Sequence, residues 1–124
     1  MDRCTISNSK KCGIMIEWLK SSTRYEVGRN IIITDNDIRT SGKDGILIQS
    51  FIQFSAHNLN ILIKGNVIQK SLGEGLAIKN LAITALDIVG NELSKNQYHG
   101  IYLSQVHQKS NKFKFNMLEN KCLE

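Results

Sequence analysis

The sequence predicts an all-β chain wound as a solenoid, with about four coils of three short parallel strands, each coil stacked on the next. Three observations carry the prediction. A glycine followed by an apolar–any–apolar triplet occurs at Gly13-Ile14-Met15-Ile16, Gly45-Ile46-Leu47-Ile48, Gly75-Leu76-Ala77-Ile78 and Gly100-Ile101-Tyr102-Leu103. Nine positions before these glycines stand Cys4, Asn36, Asn66 and Asn91. Around those anchors apolar residues alternate at period two, which is the period of a strand and not of a helix.

The first strand of each coil precedes the anchor. Its apolar pairs are Ile31 with Ile33, Ile61 with Ile63, and Leu86 with Ile88, and Phe115 with Met117 repeat the pattern before Asn120. The second strand follows the anchor and places Ile6, Ile38, Ile68, Leu93 and Cys122 two residues after it. A small polar residue comes three positions later: Ser9, Ser41, Ser71 or Asn96. The glycine triplet is the third strand. Runs this short bury a face only by stacking on their counterparts about 4.8 Å away. The asparagines are expected to take a left-handed turn and to join as an amide ladder. Glycine is expected at the next corner, where positive φ or close backbone approach excludes a Cβ.

At 124 residues the chain has room for one domain, 1–124. It contains no proline, as suits a backbone whose donors are needed for strand pairing. Both ends fall within a coil. The expectation is therefore a fragment or short form of a longer solenoid, or end-to-end self-association. No apolar run reaches the ~18 residues that cross a bilayer, and the first residues lack a signal-peptide core. Three cysteines, an odd number with no metal-ligand spacing, suit a reducing, cytoplasmic setting and imply no cofactor or metal. The formal charge of +5 permits acidic partners, but the lysines are spaced singly, so nucleic acid is not expected.

The pattern of two apolar strands around Asn and a third after Gly resembles the right-handed parallel β-helix repeats of the pectate-lyase-like superfamily. That resemblance implies the fold and specifies no activity. The stretch GKDGILIQSFIQFSAHNLNILIKGNVIQKSLGEGLAI also resembles the carbohydrate-binding and sugar-hydrolase-like (CASH) β-helix of the SHC SH2-domain-binding protein 1 family. This narrower likeness implies an intracellular interaction module in signalling or cell division.

The Asn-to-Gly block keeps its length, while the connection from each Gly triplet to the next strand varies. All insertions therefore fall at one corner, and insertions gathered on one face are commonly the binding face. Trp18, Arg24, Tyr25, Phe51, Phe54 and His57 lie there, with Lys20 and Arg29. They offer aromatic platforms and cations to a protein partner or a glycan. Alternatively the loops cover the outward apolar positions Met15, Leu47, Ala77, Tyr102, Ile32 and Leu62.

Cys12, Asp44, Glu74 and His99 precede the four glycines and are expected to stack. Two carboxylates at strand spacing repel, and an adjacent imidazole favours its charged form. Asp44, Glu74 and His99 are thus the candidate acid/base set. The plainer reading is a solvated turn column, and the expectation is no catalysis. Asp35 and Asp37 flank Asn36, but no second acidic pair aligns with them. The function expected is a non-catalytic scaffold that presents its loop face to a protein. The alternative is a carbohydrate-binding module or a remnant of a polysaccharide lyase or hydrolase.

Overall fold

The computed structural model describes residues 1–18, 29–50, 59–108 and 114–123, and every regular element among them is a strand. Three parallel sheets run along the stack. The first orders β1 (Thr5–Ser7), β4 (Asp37–Arg39), β7 (Val67–Gln69), β10 (Glu92–Ser94) and β13 (Lys121–Leu123). The second holds β2 (Ile14–Trp18), β5 (Ile46–Ser50), β8 (Leu76–Ile83) and β11 (Ile101–Gln108). The third holds β3 (Arg29–Thr34), β6 (Leu59–Lys64), β9 (Ala85–Val89) and β12 (Lys114–Leu118).

The register is the one the sequence repeat requires. Ile6, Ile38, Ile68, Leu93 and Cys122 pair in succession in the first sheet. Ile14, Ile46, Leu76 and Ile101 do so in the second, and Ile31, Ile61, Leu86 and Phe115 in the third. These columns meet inside the coil, except at the last rung, where Phe115, Met117 and Cys122 are exposed. Ile38, Ile46, Ile48, Ile63, Ile68, Leu76, Ile78 and Leu86 have no exposed surface. Each such side chain contributes about 1.5–3 kcal/mol by burial.

The asparagines form the expected ladder. The backbone N–H and side-chain amide of Asn36 both donate to Oδ1 of Asn66, each at 3.0 Å. Asn66 repeats this on Asn91 at 3.0 Å, and Asn91 on Asn120 at 3.1 and 2.8 Å. The same amides also reach back one coil, from Asn66 to the Ile33 carbonyl and from Asn91 to the Ile63 carbonyl, both at 3.0 Å. Cys4 has no amide, so the ladder ends on its N–H, which donates to Asn36 Oδ1 at 3.0 Å.

The turn geometry corrects one expectation and decides between the two alternatives of another. Positive φ falls not on the asparagines but on the residue before each anchor: Arg3, Asp35, Gly65, Gly90 and Glu119. The asparagine carries the hydrogen bonds while its neighbour makes the left-handed turn. The glycines at 13, 45, 75 and 100 are not in the positive-φ set either. They are there because the coil is tight. A Cβ on Gly45 would collide with the Ile68 side chain and lie 2.6 Å from the Gly75 carbonyl oxygen.

A further difference concerns length. The stretch from Lys79 to Ala85 reads in sequence as a connection, yet β8 continues to Ile83, and Leu81 and Ile83 are fully buried. Asn80 has a φ of 55° and re-aims the strand, so the inward side chains resume at Leu81, and Gln105 at 51° does the same in β11. Thr84 alone separates β8 from β9. Residues 19–28, 51–58 and 109–113 make the corresponding link from the second sheet to the third, so the long connections share one corner.

Candidate functional site

The outward side chains of the second sheet stand in three columns. Cys12, Asp44, Glu74 and His99 line the edge where the strands begin, and the Gly13, Gly45 and Gly75 N–H groups bond the carbonyls of Asp44, Glu74 and His99. Met15, Leu47, Ala77 and Tyr102 form the middle column, and Glu17, Gln49, Lys79 and Ser104 the third.

The structure brings Asp44, Glu74 and His99 together. The Glu74 backbone N–H donates to Asp44 Oδ1 at 2.8 Å, and the His99 N–H donates to Glu74 Oε2 at 2.7 Å. Each carboxylate thus ties its own coil to the next by accepting from a backbone group that solvent would otherwise satisfy. Glu74 Oε2 also lies 3.1 Å from Nδ1 of His99, and Asp44 Oδ2 lies 4.0 Å from the Lys79 ammonium. Both carboxylate side chains are 13% exposed, whereas the His99 ring is 67% exposed. An acid/base pair needs a carboxylate free to face a substrate. Here the two carboxylates are occupied along the stack.

Sequence reasoning did not find the partners of this set. The Tyr102 ring stacks on His99 with centroids 5.6 Å apart, and the Lys79 ammonium sits 5.5 Å from the Tyr102 centroid. The signal was present, since Lys79 and Tyr102 follow their glycines by fixed offsets, but only the register makes them neighbours. Leu47 and Ala77 are buried in a small cluster with Cys12 and Tyr102, while Met15 is 48% exposed. Burial pushes the Cys12 thiol above its ordinary pKa, an effect partly offset by its hydrogen bond with the Asp44 backbone.

Trp18 ends β2 opposite Ser50. Lys20, Arg24, Tyr25, Phe51, Phe54 and His57 lie outside the described residues. Asp37 is held at 2.7 Å by the Arg39 guanidinium on its own strand. Among the described residues no three His, Cys, Asp or Glu side chains converge as a metal-binding group.

Comparison with known proteins agrees with the stack. No curated protein matches the chain, and no solved structure does. A family model described as "right handed beta helix region" matches residues 1–118. Nearly the whole chain is thus accounted for by one kind of coil, and the protein belongs to the right-handed β-helix family.

Proposed function

We propose that this chain is a non-catalytic interaction domain, a rigid β-helix that holds a loop-lined corner toward a protein partner. The observation that carries this reading is topological. The connections 19–28, 51–58 and 109–113 all join the second sheet to the third, so their ends are anchored in a row by stacked strands. Recognition loops raised on a rigid scaffold are a recurrent arrangement. The engagement of Asp44 and Glu74 by backbone donors supports a structural role for the acidic column. The likeness of Gly42–Ile78 to the SHC SH2-domain-binding protein 1 β-helix favours the same class. Three free thiols suit an intracellular setting.

The test is a loop-shortened variant in which 51–58 is replaced by Leu-Ala-Ile, the residues 81–83 that span the same gap in the next coil. It is expected to keep its cooperative unfolding transition and to lose the proteins that cross-link to the parent chain. Retention of those partners would contradict the assignment of the loop corner. Polysaccharide cleavage lost in Glu74→Gln would contradict the non-catalytic reading.

A second reading, a carbohydrate-binding module, draws on the exposed His99 stacked on Tyr102 beside Lys79. Binding on a glycan array that disappears in Tyr102→Ala would favour it.

A further inference from the structure

The turn between the first and second sheets runs over residues 8–13, 40–45, 70–75 and 95–100, one segment per coil. Backbone bonds stack these segments. The Gly42 N–H reaches the Ser9 carbonyl at 2.8 Å, Lys43 reaches Lys11 at 3.2 Å, and Gly73 reaches Lys43 at 3.0 Å. Lys70 reaches the Ser94 carbonyl at 3.1 Å, and Gln97 reaches Ser71 at 2.9 Å. The stack gathers Lys10, Lys11, Lys43, Lys70 and Lys95, all exposed. The same turns hold Asp44 and Glu74, but both carboxylates are 13% exposed and accept from backbone N–H groups of the next coil.

Lysines that lie far apart in sequence thus become one basic edge. Coil-to-coil spacing of about 4.8 Å gives it a length of roughly 14 Å. Lys79 pairs with Asp44 and Arg39 with Asp37, but the five edge lysines make no ion pair among the described residues.

The edge is costly to the fold in two ways. Lys11 and Lys43 occupy one column and Lys70 and Lys95 another, and like charges on neighbouring strands destabilise each other. Lys70 and Lys95 also carry φ of 57° and 54°, a conformation where glycine or asparagine is more comfortable. Asn8 and Thr40 hold the same conformation in the other coils, so the strain belongs to the turn, and the repulsion is what the lysines add.

We propose that this edge docks an acidic peptide segment of a protein partner, one that interleaves carboxylates with apolar side chains. The inference rests on the reading of the chain as a protein-interaction domain and adds a second contact, on a different corner from the loops. The chemistry favours a peptide over a nucleic acid. The cations of the edge are lysines with no arginine among them, and Leu72 and Tyr98 stand between them at 62% and 66% exposure. Single-stranded nucleic acids are held by runs of stacking aromatics, and the edge has one.

The test uses the whole chain and a fluorescein-labelled (Glu-Glu-Leu)4 peptide, read by anisotropy. Binding is expected, weakening as salt is raised and absent for (Gln-Gln-Leu)4. Lys70→Asn with Lys95→Asn is expected to weaken binding about tenfold. The same pair is expected to raise the melting temperature by about 3 °C, because asparagine tolerates the left-handed turn. Lys64→Glu with Lys114→Glu, a larger charge change away from the edge, is expected to leave affinity within about twofold. Equal loss from that control pair, no peptide binding by the parent chain, or tighter binding of oligothymidylate would each overturn the proposal. The loop-shortened variant should bind the peptide like the parent chain, which keeps the two corners experimentally separate.

Discussion

Asn66 meets its full hydrogen-bonding capacity inside the stack. Its oxygen accepts from the Asn36 N–H and side-chain amide, and its own amide donates to Asn91 and to the Ile33 carbonyl. Truncation to alanine leaves those buried groups without partners, and Asn66→Ala is expected to cost on the order of 4 kcal/mol. Ser71 is the opposite case. Its hydroxyl is buried and unpaired, so Ser71→Ala is expected to raise stability by about 0.5–1 kcal/mol. Urea unfolding of the two variants tests both signs.

Cys12 gives a pH-dependent version of the same logic. Its folded pKa is raised by burial, so the thiol stays neutral in the fold while an unfolded chain ionises near pH 8.5. The contribution is present in full below that pH and is lost as pH climbs toward the folded value. The parent chain is therefore expected to lose stability above about pH 8.5 faster than Cys12→Ala. In the native state iodoacetamide should label the exposed Cys4 and Cys122 and spare Cys12. Parallel alkaline slopes for parent and variant would refute the account of this residue.

At the scale of elements, most of the strands were legible in the sequence because each coil repeats the same offsets from Asn and Gly. The ladder was legible for the same reason. What the sequence concealed has physical causes. Leu81 and Ile83 escape a period-two reading because Asn80, in a left-handed conformation, shifts the alternation in mid-strand. The left-handed turns were misplaced by one residue, since glycine, aspartate, arginine and glutamate share that position and no single type marks it. The basic edge was missed because its lysines split between two offsets, Lys11 and Lys43 at one and Lys70 and Lys95 at another, so no single column repeats lysine. The Asp44–Glu74–His99 column was legible as a column, but the use of its carboxylates on backbone donors was not. If the extension of β8 is core, Leu81→Ala is expected to cost about 2–5 kcal/mol, against little for the exposed Leu72→Ala. Equal, small effects at the two positions in thermal unfolding would contradict the observed strand.

Over the whole molecule, one repeat accounts for interior, ladder and the two corners proposed to bind. Each coil rests on its neighbours through sheet bonds, an inward apolar column and an amide rung, so the surfaces on its outside are ordered by the stack and not by local sequence. The long connections lead from the second sheet to the third, and lysines gather at the turn between the first and second. The proposals for partner binding and for acidic-peptide docking both depend on this vertical order. Methyl-labelled NMR tests it most directly. The account predicts cross-peaks between Ile38 and Ile68 and between Ile68 and Leu93, side chains paired in register in the first sheet. Absence of both cross-peaks in a folded, well-dispersed spectrum would contradict the stack and remove the basis for both corners.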